Sequence, residues 1–121
     1  MKEYYSILSE TKEALSGVFA VRLNPECEVY EGHFPGSPVS PGVCNIRMML
    51  ECAERVIGHP LRMRKLSRCR FTTLLSPLTH PELEIQLDLQ PKEESLYTLN
   101  ATIGKGEDIY QTLKADVLLD G

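Results

Sequence analysis

Aromatic and basic residues are scarce in this 121-residue sequence, which has no tryptophan, three phenylalanines and five tyrosines. Its 13 lysines and arginines against 17 aspartates and glutamates leave a net charge of −4. A general nucleic-acid-binding domain needs a basic surface with stacking aromatics, so this composition argues against that class. No stretch approaches the roughly 18 apolar residues of a membrane span, and the N-terminus lacks the apolar core of a signal peptide. We therefore expect a cytoplasmic protein that binds neither nucleic acid nor a membrane.

The four cysteines are spread along the chain without a C-x-x-C pair, at Cys27, Cys44, Cys52 and Cys69. Structural zinc sites need closely spaced thiolates, so this spacing argues against a metal site. Apolar residues make up 42% of the chain, which is enough to fill one core, and no linker or repeat divides it. The sequence thus predicts a single domain, residues 1–121, with reduced cysteines.

One long helix is predicted in the middle of the chain. Apolar residues three and four positions apart would share its buried face, and they are Val43, Ile46, Leu50, Ala53 and Ile57. Ser40 suits the N-cap and Pro41 the first helical position, while Gly58 and Pro60 supply the stop. Asn45 is predicted to lie on the polar surface of this helix, and the alternative is that it lines a pocket.

Short segments of alternating polar and apolar residues surround this helix. They predict strands at residues 4–8, 18–23, 66–73, 83–89, 96–103 and 109–118, with a turn at Ser16 and Gly17 between the first two. The short connections between them imply antiparallel pairing. The predicted fold class is therefore α+β, with an antiparallel sheet wrapped around one long helix.

Residues 32–43, GHFPGSPVSPGV, hold the most informative pattern in the chain. The prolines restrict the backbone, so the segment can keep His33 in a fixed place just before the helix. If Ser40 caps the N–H of Val43, the N–H of Gly42 stays free to bind a carbonyl oxygen or an oxyanion. An imidazole beside such an amide suits proton abstraction next to a carbonyl. The alternative is a rigid turn that carries a surface histidine.

This segment resembles the signature of the 3-hydroxyacyl-[acyl-carrier-protein] dehydratases, which have the hotdog fold. Residues 66–77, LSRCRFTTLLSP, are also similar to the strand that follows the central helix in that family. The resemblance implies that His33 takes the α-proton of a 3-hydroxyacyl thioester and that the Gly42 N–H binds the thioester carbonyl. It places Phe34 and Val43 in the substrate site.

The resemblance also implies partners and excludes cofactors. The substrate would arrive on the phosphopantetheine arm of an acyl carrier protein. Members of the family are at least dimers, and each of their active sites is built from both subunits. No metal or organic cofactor is implied, because the thioester itself acidifies the α-proton.

One position departs from the family pattern, because Arg47 stands where members carry a glutamate or aspartate on the helix. Arginine is always cationic and cannot act as a carboxylic acid. Glu51 lies one helical turn further on and is the candidate replacement. Arg47 would then belong to the substrate site or pair with Glu51. The alternative is a surface charge ladder in which Arg47, Glu51 and Arg55 pair at i,i+4 spacing.

Three readings of this departure stay open. Glu51 supplies the acid from a displaced position, or a related dehydratase subunit supplies it in a heterodimer, or the chain binds acyl thioesters without dehydrating them. Thioester hydrolysis is a further alternative.

A basic run follows the helix, at Arg62, Arg64, Lys65, Arg68 and Arg70. Arg68 and Arg70 alternate with apolar neighbours and would share one face of a strand. They are candidates for docking an acidic carrier protein, and the alternative is a solvated strand.

Overall fold

The computed structural model describes residues 3–30 and 40–120. Within them, six strands form one antiparallel sheet that packs on a single long helix, which confirms the predicted α+β arrangement. The elements in chain order are β1 Tyr5–Glu13, β2 Ser16–Leu23, a 3₁₀ turn Glu28–Tyr30, α1 Gly42–Ile57, β3 Leu61–Phe71, β4 Glu82–Glu93, β5 Leu96–Lys105 and β6 Asp108–Leu119. The strand order is β1-β2-β4-β5-β6-β3, so β1 and β3 are the two edges.

One face of the sheet packs against α1 and forms the core. Met48, Met49 and Cys52 of the helix are fully buried, although the predicted spacing left them out. Leu50 and Ala53 are buried as predicted. The buried face is thus rotated from the predicted one, and the side chain of Val43 at its start is 75% exposed. No helix in the part of the chain that the structure describes is long and apolar enough to span a membrane.

The helix begins one residue later than the sequence predicted, and Ser40 is not its cap. Pro41 is the N-cap, and its carbonyl accepts the N–H groups of Cys44 and Asn45 at 3.1 Å each. Ser40 instead joins other segments, since its N–H bonds the Leu75 carbonyl at 2.7 Å. The predicted stop is confirmed, because Gly58 takes a φ of 70° and its N–H bonds Glu54 at 2.8 Å.

Both edge strands are longer than the sequence predicted. β1 continues to Glu13 through residues that are exposed and so lack the alternating pattern. β3 begins at Leu61, and there the buried Leu61 and half-buried Met63 do alternate with exposed arginines, a short pattern that the prediction missed. The predicted turn at Ser16 and Gly17 was also wrong, because both residues lie in β2 and Ala14 makes the turn with a φ of 51°.

Candidate functional site

A groove of about 670 Å³ runs between α1 and the start of β1. Its helical wall exposes successive turns of α1, and the opposite wall comes from β1 and the segment before the 3₁₀ turn. The lining residues are Glu3, Tyr4, Tyr5, Ser6, Ile7, Cys27, Val29, Val43, Cys44, Arg47, Met48, Glu51 and Arg55. The groove therefore contains three of the residues that the sequence singled out for the substrate or the acid, namely Val43, Arg47 and Glu51.

Gly42 opens the helix at one end of this groove. Among residues 3–30 and 40–120, its N–H finds no hydrogen-bond acceptor, as expected for the first residue of a helix. The ring of Phe71 lies against it, so a Cβ at this position would come within 2.6 Å of the ring's Cζ. His33 and Phe34 lie outside the described residues, and their predicted roles stay predictions.

Arg47 and Glu51 pair at i,i+4 spacing, as the charge-ladder reading predicted. Arg47 Nε donates to Glu51 Oε2 at 3.3 Å, and the Arg47 side chain is 66% exposed. The other carboxylate oxygen, Oε1, accepts the hydroxyl of Tyr5 at 2.9 Å. Arg55 does not continue the ladder, because both ends of its guanidinium donate to Glu10 of β1, at 2.6 and 3.2 Å. Two residues of the chain therefore hold Glu51 in place.

Three tyrosines, which the sequence analysis missed, line or support the groove. The Tyr4 ring stacks on Tyr30 with 6.1 Å between centroids and meets Tyr5 edge-on at 6.5 Å. The Tyr4 hydroxyl donates to Asn45 Oδ1 at 2.6 Å, so Asn45 is buried and is not helix surface. The signal for this cluster was the pair of adjacent tyrosines that opens the first predicted strand, Tyr4 and Tyr5.

Burial sets the charge state of these groups. It raises the pKa of Tyr4, Tyr5 and Tyr30 well above that of a free phenol, so all three remain neutral hydrogen-bonding groups near neutral pH. Burial likewise raises the pKa of the Cys44 thiol in the groove wall. A protonated thiol is a poor nucleophile, so Cys44 is not an activated cysteine.

The two arginines predicted to dock a carrier lie on the edge strand β3. Both are exposed, and they stand opposite Lys114 and Thr112 of β6. Their docking role stays a prediction.

Comparison with known proteins assigns the family. A family model described as ApeI-like, ApeI dehydratase, matches residues 9–110. The chain is 25% identical over 89 residues to the 3-hydroxyacyl-[acyl-carrier-protein] dehydratase FabZ of Levilactobacillus brevis. That alignment covers 68% of this chain, and the chain spans only 59% of the length of this curated relative.

Solved structures agree on the fold. The dehydratase heterocomplex ApeI:P from Xenorhabdus doucetiae superposes with a TM-score of 0.75 at 18% identity, covering 98% of this chain and 99% of that one. An uncharacterized protein from Erwinia carotovora subsp. atroseptica gives 0.69 at 17% identity, covering 95% and 96%. A conserved protein from Pseudomonas aeruginosa gives 0.63 at 12% identity, covering 96% and 88%.

The six-stranded antiparallel sheet on one helix is thus the hotdog fold that the Pro- and Gly-rich segment predicted. The chain belongs to the ApeI-like dehydratase family.

Proposed function

We propose that this chain takes part in the dehydration of 3-hydroxyacyl thioesters, carried by an acyl carrier protein, to trans-2-enoyl thioesters. The observation that carries the proposal is the groove of about 670 Å³ that follows α1 from its start to Arg55. It begins beside the N–H of Gly42, which has no hydrogen-bond acceptor among the described residues. A volume of this size is typical of sites that enclose a small molecule. Membership of a dehydratase family supports the reaction class.

In this proposal the Gly42 N–H donates a hydrogen bond to the thioester carbonyl oxygen. Negative charge develops on that oxygen when the α-proton leaves, and a preorganised backbone donor stabilises the charge. His33 takes the α-proton as the general base and must be neutral to do so. The C3–O bond then breaks, and the hydroxyl needs one proton to leave as water.

The proposal has two forms, which differ in whether this chain or a partner subunit supplies that proton. Arg47 donates a hydrogen bond, but its guanidinium stays cationic and cannot act as the acid. Both oxygens of Glu51 accept hydrogen bonds from Tyr5 and Arg47 of the same chain. Before it can act as the acid, Glu51 must exchange one of these contacts for the substrate hydroxyl and must carry the proton that the hydroxyl takes up as it leaves as water.

The first test is turnover by the purified chain. We expect it to convert a 3-hydroxyacyl carrier thioester to the enoyl product, followed by the absorbance of the conjugated thioester, and we expect His33→Ala to abolish this. The matched control is His59→Ala, because the His59 ring bonds the neighbouring Pro60 carbonyl at 2.8 Å and is not among the described residues that line this groove. Equal turnover by His33→Ala and the unmodified chain would contradict the proposed base.

A second form, in which this chain forms half of a site, is favoured by Arg47 at the family's acid position. The structural relative from Xenorhabdus doucetiae is a dehydratase heterocomplex. We infer that a related subunit then supplies the acid, while this chain supplies His33 and Gly42.

The second test adds such a subunit to the purified chain. Turnover that appears only in the mixture and is lost with His33→Ala of this chain supports the half-site form. Turnover by the chain alone that falls with Glu51→Gln supports the complete site instead. If neither sample turns over but the chain binds the thioester, a binding role remains.

A further inference from the structure

One glutamine side chain lies in the interior with a polar atom unused. Gln111 of β6 is 1% exposed, and its Oε1 accepts no hydrogen bond from any of residues 3–30 and 40–120. Its amide nitrogen lies 3.5 Å from the Cys69 sulfur, which is a weak acceptor. A buried acceptor without a donor costs free energy, and native proteins contain few of them. Gln111 therefore offers an unused acceptor to a ligand that brings an N–H or O–H group.

The strand pairing places this side chain near the start of α1. Gln111 stands directly opposite Phe71 of β3, so the two side chains share one face of the sheet with their Cβ atoms about 5 Å apart. The Phe71 ring in turn lies against Gly42. Phe71 is 53% exposed, so its ring has room to turn outward. One movable ring thus links the position of Gln111 to the helix start, where the proposed function places the thioester carbonyl.

The sheet order indicates which part of a thioester faces Gln111. The groove proposed for the acyl chain runs between α1 and β1, at one edge of the sheet. Gln111 and Phe71 lie on β6 and β3, at the opposite edge. The carbonyl carbon of a thioester is trigonal, so its acyl chain and its sulfur leave in different directions. With the acyl chain in the groove, the sulfur and the arm attached to it point toward β3 and β6.

We propose that Gln111 Oε1 accepts a hydrogen bond from the amide N–H nearest the sulfur of a pantetheine arm. This inference rests on the proposed function for the position of the thioester carbonyl at Gly42, while the unused buried acceptor is independent of it. In a pantetheine thioester only the sulfur and two methylene groups separate that nitrogen from the carbonyl carbon. The bond forms when the Phe71 ring turns aside, and it makes the site selective for acyl groups on an amide-bearing arm.

The test compares two saturated acyl thioesters, which lack a 3-hydroxyl group and so cannot be dehydrated. One is the acyl-pantetheine thioester, and in the other an ester oxygen replaces the amide N–H nearest the sulfur. We expect the wild-type chain to bind the first about three- to tenfold more tightly in isothermal titration calorimetry, as for one neutral hydrogen bond. Gln111→Met keeps the side-chain length but removes the carbonyl acceptor, so this variant should bind both probes equally.

The stability of the variant separates a binding role from a structural one. Gln111→Met removes a buried acceptor that lacks a donor, so it should raise the urea concentration at the midpoint of unfolding. A glutamine that the fold itself needs would give the opposite result. The matched control is Gln86→Met, because Gln86 of β4 is exposed and its amide donates to Glu84 at 2.8 Å. This control should keep the preference for the amide-bearing probe.

Three results would overturn the proposal. They are equal binding of the two probes by the wild-type chain, a preference for the amide-bearing probe that survives in Gln111→Met, and a lower unfolding midpoint in Gln111→Met. Equal and tight binding of both probes overturns this inference alone, because the acyl groove is then still occupied. If the chain binds neither probe, the proposed thioester site fails together with it.

Discussion

Glu51 illustrates how single contacts limit what a side chain in this groove can do. Its carboxylate accepts from Tyr5 at 2.9 Å and from Arg47 at 3.3 Å. The Tyr5 contact does not follow from helical spacing, because Tyr5 lies on β1 and only the fold brings it to α1. The sequence predicted the Arg47 pair, since residues four apart on a helix are neighbours. It could not predict the tyrosine, whose partner lies 46 residues away.

Gly42 gives a prediction at the scale of one residue. We expect Gly42→Ala to lower turnover of the acyl thioester. The new Cβ would lie 2.6 Å from Phe71 Cζ, so the ring must move, and it lies beside the amide that we propose binds the thioester carbonyl. Phe71 is half-exposed and its ring can move, so the free energy of unfolding should change by only about 1 kcal/mol or less. Steady-state kinetics and urea unfolding measure the two effects.

The rescue for this variant is a smaller side chain at the contact. The double variant Gly42→Ala with Phe71→Leu should recover part of the lost turnover. Turnover of Gly42→Ala equal to that of the wild type would show that neither the amide nor the ring lies at the reacting centre.

At the scale of elements, α1 packs tightly on β2 at one glycine. Gly17 of β2 makes it possible, since a Cβ there would lie 2.8 Å from Val56 Cγ2 and 2.9 Å from Phe19 Cε1. We expect Gly17→Ala to destabilise the protein by about 1–3 kcal/mol, the usual cost of overpacking a core. Chemical denaturation of the purified variant measures it.

A double-mutant cycle identifies the contact. Val56→Ala removes the methyl that the new Cβ meets, so the combined variant should be more stable than the sum of the two single effects predicts, by about 0.5 kcal/mol or more. Simple additivity of the two substitutions would place the strain elsewhere, for example at Phe19.

The elements themselves were largely predictable, and their ends were not. Interior strands such as β4 and β5 alternate buried and exposed residues, which is the signal that sequence analysis reads. The edge β1 extends through polar, exposed residues, so its extra length leaves no pattern, whereas the start of β3 alternates apolar and basic residues over only four positions. Ser40 was wrongly predicted as the N-cap of the helix. The hydroxyls of Ser40 and Tyr30 lie within hydrogen-bond distance, at 3.0 Å, and this tertiary contact competes with capping.

At the scale of the whole molecule, the buried tyrosines make stability depend on alkaline pH. Burial raises the pKa of Tyr4, Tyr5 and Tyr30 in the folded chain, whereas in the unfolded chain each titrates near 10. The unfolded state therefore loses these protons first as the pH rises. The stabilisation is fully present below about pH 10 and is lost progressively above it.

This prediction is measured as the free energy of unfolding between about pH 8 and about pH 11. Tyr4→Phe should flatten the decline, because it removes one of the protons released on unfolding. Tyr97→Phe on β5, outside this cluster, is the matched control for loss of a phenol. A decline that is equally steep in the wild type and in Tyr4→Phe would mean that other groups cause it.

The contact between Tyr30 and Ser40 has a consequence for how this protein diversifies. Their hydroxyls lie 3.0 Å apart, both residues are buried, and the Ser40 N–H also bonds the Leu75 carbonyl. Removing either hydroxyl leaves the other in the interior without this bond, which costs free energy. The two positions therefore constrain each other, and sequence change at one of them is tolerated best when the other changes with it.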